Sequence, residues 1–189
     1  MLNEIYAPYS VGGREDALDA RAIEAMFADV CVHPHWLAKP VQRRALERIY
    51  ELGSRPIASE VAARVRLVFV VTDSAKSRLA QAVGATAKDQ ILAAPATVIV
   101  CRKTTEASAS ISDTATDDGL LGAPFVFAAR AIGLRVCVAS VIDRPAVDGA
   151  FLFGTSDRSL FAFGVGEAVD LATRVRPNVA GFDQACDVL

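Results

Sequence analysis

The chain has 189 residues, 52% of them apolar and 22% charged, with a formal net charge of -2. That length suits one domain spanning residues 1–189, and that composition fills a core and excludes intrinsic disorder. The basic residues are spread along the chain rather than gathered in a stripe, so the electrostatic footprint of a nucleic-acid binder is absent. Four cysteines, Cys31, Cys101, Cys137 and Cys186, have no C-x-x-C spacing. Cys101 and Cys137 fall inside apolar runs, where a reduced thiol serves as a small hydrophobe. The stretch from Met1 to Arg14 has no basic start followed by an apolar segment, and the longest apolar runs reach about half of a membrane span. A cytoplasmic protein with no membrane contact is expected.

From Asp16 to Val30 the apolar residues Ile23, Met26, Phe27 and Val30 recur at helical spacing and predict an amphipathic helix. His33-Pro34-His35-Trp36 breaks it. Pro40 suits the first turn of a second helix, Val41 to Leu52, with Leu46, Ile49 and Tyr50 on its buried face and Gly53 as its stop. After an irregular stretch from Arg55 to Ala63, the run Arg66 to Thr72 is β-branched and aromatic, as a strand covered on both faces requires. Asp73 is placed to cap a helix over Ser74 to Val83. A short helix over Lys88 to Leu92 then leads through Pro95 into a second buried strand, Ala96 to Cys101.

Arg102 to Thr116 is rich in Ser, Thr and Ala and reads as a loop. Asp117 and Asp118 suit the start of the next helix, whose dipole favours negative charge there. That helix is apolar on most sides and ends at Gly133, which places it centrally or at a subunit contact. Leu134 to Val141 is a strand, Asp143 and Pro145 open a helix, and Ser159 to Val165 is the last strand. The tail from Glu167 to Pro177 is extended, before a short helix ending at Leu189. Strands alternating with helices predict an α/β (α+β) domain of three layers, with a central mixed sheet covered by helices.

Three local patterns resemble the FMN-dependent nitroreductase family. One is the break ending in Trp36 and Lys39-Pro40-Val41, followed by a helix with Leu46-Glu47-Arg48-Ile49. Another is Arg66-Leu67-Val68-Phe69-Val70-Val71-Thr72-Asp73 with Lys76, Arg78-Leu79 and then Ala94-Pro95. The last is Ala128-Ala129-Arg130-Ala131-Ile132-Gly133-Leu134. Phe182-Asp183-Gln184-Ala185-Cys186 and Val147-Asp148-Gly149-Ala150-Phe151 resemble the subgroup typified by malonic semialdehyde reductase. The likeness runs from about Ile23 to Leu189.

This resemblance implies an intertwined homodimer whose C-terminal tail is exchanged with the partner subunit, with two interfacial FMN sites. It also implies hydride transfer from NAD(P)H through flavin N5 to a nitro, quinone or small carbonyl acceptor. In that reading flavin carries the chemistry, and no catalytic side chain is named. The family grips the FMN phosphate with basic residues, for which guanidinium groups are well suited. Arg174 and Arg176 stand at one such place, where they are equally readable as solvated surface charge. The usual upstream arginine falls on or near Cys31, leaving His33 or His35 as a partial substitute. In the loop before the first strand Ser59 matches, Val61 or Glu60 replaces an asparagine, and Arg64 is a compensating donor. Beside flavin N5 the expected Pro and Gly are missing, and backbone N–H groups of Ala139 and Ser140 remain. These eroded contacts keep a second reading open, a diverged homodimer that has lost flavin and acts as a binding or structural protein.

Other motifs are weaker. His33-x-His35 has no neighbouring ligand to complete a metal set, so no metal is expected. Gly164-Val165-Gly166 lacks the third glycine of a dinucleotide turn, Val169 standing there instead. No G-x-S-x-G elbow is present for a hydrolase. Trp36 is expected to anchor a core or an interface.

Overall fold

The computed structural model describes residues 18–27, 35–57, 63–84, 88, 92–103, 115–139, 142–169 and 181–186. In chain order these form α1 (Ala20–Phe27), β1 (His35–Trp36), α2 (Arg43–Ser54), β2 (Val65–Val70), α3 (Asp73–Gln81), β3 (Ala96–Arg102), α4 (Ala115–Ala131), β4 (Arg135–Ala139), α5 (Arg144–Phe151), β5 (Arg158–Gly166), β6 (Ala168–Val169) and α6 (Phe182–Ala185). The main sheet has the order β2-β3-β5-β4, and β1 pairs separately with β6.

The centre of the sheet follows from residue type. All seven residues of β3 are buried, because both of its faces are covered by helices. On one face Ala96, Val98 and Val100 join Val65, Phe163 and Val165 beneath Leu46 and Ile49 of α2 and Leu121, Phe125 and Ala129 of α4. On the other, Ile99 and Cys101 join Val70 and Ala162 against Leu79 of α3 and Val147 of α5. The result is the three-layer α+β arrangement expected from the sequence.

The sheet itself corrects an expectation. Every pairing in the four-stranded sheet is antiparallel, not mixed. Strand–helix alternation points to parallel neighbours only when each helix carries the chain back to the opposite end of the sheet. Here the segment through α3 returns to the end it left, since Val70 at the end of β2 pairs with Thr97 at the start of β3. The exchange of the C-terminal tail lies outside the described residues.

Local chemistry moves several boundaries. Thr72, not Asp73, caps α3: its Oγ1 accepts from the Ala75 N–H at 3.3 Å, and Asp73 becomes the first helical residue. For α5 the expectation holds, with Asp143 Oδ1 accepting from the Ala146 N–H at 3.2 Å. Gly53 does not stop α2 but lies inside it, buried, where an added Cβ would collide with the Phe125 ring. Tyr50, expected in the core, is 47% exposed and stacks its ring parallel to Phe125 at 6.5 Å. The expected loop start at Arg102 is the end of β3. His35 and Trp36, read as a break, form a short strand against Val169 and Ala168 of the tail. The Lys39–Glu167 ion pair, at 2.6 Å, lies beside it.

Candidate functional site

Three chain segments meet at one end of the main sheet, the start of β2, the end of β3 and the start of β5, while β4 stops short of it with Ala139 opposite Ala162. Within the ladder Val65 pairs with Arg102, and Arg102 pairs in turn with Arg158. One step beyond, the Lys103 N–H donates to the Arg64 carbonyl at 2.6 Å. The register therefore gathers Arg64, Arg66, Arg102, Lys103 and Arg158 on three neighbouring strand ends. In the sequence these residues are scattered and imply nothing jointly.

The carboxylates nearby are already engaged. Asp157 is buried, and its Oδ2 accepts from Arg66 Nη1 at 2.8 Å. Asp148 Oδ1 accepts from the Ser159 N–H at 2.7 Å, tying α5 to β5. Cys101, opposite both Arg66 and Ser159, is fully buried. Burial pushes its thiol up to about 12, with the nearby Arg66 guanidinium only partly opposing the shift. A thiol held so firmly protonated is a packing group, not a nucleophile.

Arg64 is the residue of this group that the sequence singled out. It is half-buried in the turn entering β2, and its Nε is buried without a hydrogen-bond partner. A guanidinium donor withdrawn from water and left unsatisfied is costly, and a ligand carbonyl or oxyanion would satisfy it.

The backbone of Ala139, the other expected contact within the described residues, ends β4. Arg64 enters β2 and Ala139 closes β4, and these are the two edge strands. Three interstrand spacings, about 14 Å across the sheet, separate the two strands, and Ala139, paired with Ala162, lies roughly another 13 Å along them from the Arg64 end. One chain does not bring them together. His33, Ser59, Ser140, Arg174 and Arg176 lie outside the described residues, as do Cys31 and Val61.

The glycines of Gly164-Val165-Gly166 are strand residues of β5 and not a phosphate turn. A Cβ on Gly164 would sit 2.7 Å from the Ala94 Cβ and 3.5 Å from Trp36 Cζ2, and one on Gly166 would strike Pro95. Their absent side chains admit the Ala94-Pro95 segment and the indole. Trp36 is half-buried, as an anchor should be, and its Nε1 is buried with no hydrogen-bond partner. His35 is exposed on β1, and the described residues hold no group of three or more His, Cys, Asp or Glu placed to bind a metal. No helix among the described residues is long and apolar enough to cross a membrane.

Comparison with known proteins agrees with this architecture, although no family model matches the chain. A relative from Stenotrophomonas maltophilia (strain R551-3) is 32% identical over 194 residues, which cover 91% of this chain and 98% of the relative. It is named, on inference, an NADH dehydrogenase/NAD(P)H nitroreductase. One from Stutzerimonas stutzeri, with the same name, is 32% identical over 194 residues, covering 89% and 96%. Among solved structures, an inferred nitroreductase from Exiguobacterium sibiricum in complex with FMN superposes with a TM-score of 0.72 at 15% identity, covering 92% of this chain and 98% of that one. An enone reductase of gut-bacterial fatty acid saturation gives 0.73 at 15% identity, covering 92% and 100%. The chain belongs to the nitroreductase family.

Proposed function

We propose that the protein is an FMN-dependent NAD(P)H oxidoreductase that works as a cytoplasmic homodimer. The observation that carries this reading is the near full-length similarity to relatives named as NAD(P)H nitroreductases. A fold neighbour holding FMN supports the same cofactor. When bound, FMN supplies hydride transfer between a nicotinamide and a nitro, quinone or small carbonyl acceptor. The segments Val147–Phe151 and Phe182–Cys186 favour a place near the malonic semialdehyde reductase-like subgroup.

This chain's own residues hold and orient the cofactor. Arg174 and Arg176 clasp the phosphate through charge-assisted hydrogen bonds, with His33 as a weaker third donor. Ser59 and Arg64 meet the ribityl or ring edge, and the backbone at Ala139 and Ser140 faces the ring near N5. The separation of Arg64 and Ala139 on opposite sheet edges supports a site completed by a second subunit, each copy lending one edge.

Cys31 and Val61 stand where charged and amide contacts are expected. They favour one alternative, a flavin-free homodimer with a binding or structural role. Purification after incubation with FMN separates the two readings. The enzyme is expected to co-elute with a visible flavin band, to quench FMN fluorescence and to oxidise NADH or NADPH with a nitro or quinone acceptor. The double variant Arg174→Ala, Arg176→Ala is expected to lose FMN while binding riboflavin, which lacks the phosphate, as before. Absence of flavin binding in the parent protein refutes the redox reading. Light scattering is expected to give a mass near twice the 20.0 kDa chain, and a monomer removes the shared site.

A further inference from the structure

The ribbon of β1 and β6 ties the segment after α1 to the start of the C-terminal tail. His35 pairs with Val169 and Trp36 with Ala168, in antiparallel register. The Leu37 N–H donates to the Glu167 carbonyl at 2.8 Å, which carries the pairing one step further. Lys39 Nζ then donates to Glu167 Oε1 at 2.6 Å, closing the ribbon across 128 positions of sequence. Trp36 fastens it to the main sheet, because Gly164 leaves room for the indole, whose Cζ2 would lie 3.5 Å from a Cβ there. A two-stranded ribbon is marginal by itself in water, so these side chains decide whether it persists. The ion pair is exposed and its share is small, and the indole supplies more of the hold.

In an antiparallel pair, the chain before one strand and the chain after the other leave at the same end. His35 is the first residue of β1, and Val169 is the last of β6. The chain running back to His33 and the chain running on to Arg174 and Arg176 therefore depart side by side, about 5 Å apart. These are the residues assigned above to the flavin phosphate.

We propose that Trp36, Lys39 and Glu167 are positioning residues for that phosphate, clasping the tail so that its arginines and His33 reach a single anion. The inference rests on the flavin reading and deepens it, since none of the three has to touch FMN. Arg174 is five residues beyond Val169 and Arg176 seven. Extended chain of those lengths spans at most roughly 17 and 24 Å, so a fixed starting point limits where the guanidinium groups can go. A tail held in this way also loses less freedom when the cofactor binds.

Charge reversal separates clasping from direct attraction. Glu167→Lys adds a cation near a phosphate, and direct attraction alone would tighten FMN binding. The clasp predicts the opposite, a loss of about twofold to fivefold, because Lys39 then faces a like charge. The double variant Lys39→Glu, Glu167→Lys restores the pair and is expected to recover most of the affinity. Riboflavin, which lacks the phosphate, is expected to bind the parent and these variants alike. Trp36→Phe, which keeps a ring and removes a donor without a partner among the described residues, is expected to hold FMN better than Trp36→Ala. Hydrogen exchange at Leu37 is expected to quicken in Glu167→Lys and to slow again in the double variant.

FMN binding unchanged or tightened in Glu167→Lys, or not recovered in the double variant, overturns the clasp. Equal losses for riboflavin and FMN overturn its link to the phosphate. Parent protein that takes up neither flavin overturns the redox reading, and the positioning role with it, so the parent alone tells the two failures apart.

Discussion

The aromatic ring of Phe125 occupies the space that a side chain on Gly53 would need. This contact sets how closely α2 and α4 approach over one face of the sheet, and Tyr50 stacks on the same ring from a turn earlier. Gly53→Ala is therefore expected to force the helices apart and to destabilise the protein by roughly 1–3 kcal/mol, the usual range for overpacking. Helix propensity alone predicts the opposite sign, because alanine is favoured over glycine inside a helix. A urea midpoint that rises in Gly53→Ala contradicts the packing account.

The Cys101 thiol, pushed by burial from 9.0 up to about 12, makes the alkaline limb of stability informative. The folded state keeps this proton across an interval in which the unfolded chain has lost it. Its contribution is fully present below pH 9 and declines as pH rises toward 12, by up to roughly 4 kcal/mol. Denaturant melts between pH 8 and the alkaline limit are expected to show a shallower decline for Cys101→Ala than for the parent. Equal slopes remove the thiol from the account.

Accessibility of the cysteines gives a second, simpler check. Cys101 and Cys137 are buried and Cys186 is exposed. Iodoacetamide on the folded protein, followed by peptide mass mapping, is expected to modify Cys186 and to leave Cys101 and Cys137 unmodified until denaturant is added. Early modification of Cys101 contradicts its burial.

Asp157 is mostly shielded from water while its partner Arg66 is 41% exposed, an asymmetry that lowers the worth of the pair. Asp157→Asn is expected to cost roughly 1–2 kcal/mol, between the values of an exposed and a buried pair. A double-mutant cycle with Arg66→Gln, read by thermal or urea unfolding, is expected to show coupling between the two positions. Strict additivity contradicts it.

The caps of α3 and α5 are separable. Removing the accepting oxygen in Thr72→Ala or Asp143→Ala is expected to cost about 1 kcal/mol each. Asp73→Ala, which only removes favourable charge from the first turn, is expected to cost less. An Asp73 effect larger than that of Thr72 restores Asp73 as the cap.

Much of this molecule is legible in its residues taken locally. Periodicity, β-branching and the residues that start helices located all four strands of the main sheet and four of the helices covering it, because burial and capping leave their mark on neighbouring positions. The Asp143 cap is equally local, as are the buried thiols. The nitroreductase resemblance also rested on short segments, and the near full-length relatives agree with it.

Only the folded chain decided the rest. Strand direction depends on which end of the sheet each connection returns to, and no window of residues encodes that. Gly53 signalled a stop in the sequence, and Gly164 and Gly166 only an incomplete dinucleotide pattern, yet all three are sites of close approach whose partners are remote in the chain. The basic cluster exists because antiparallel register sets Arg102 against Arg158 and Lys103 beside Arg64. Local sequence carries the preferences of single elements, whereas juxtaposed charge and shared space arise from pairing between distant ones.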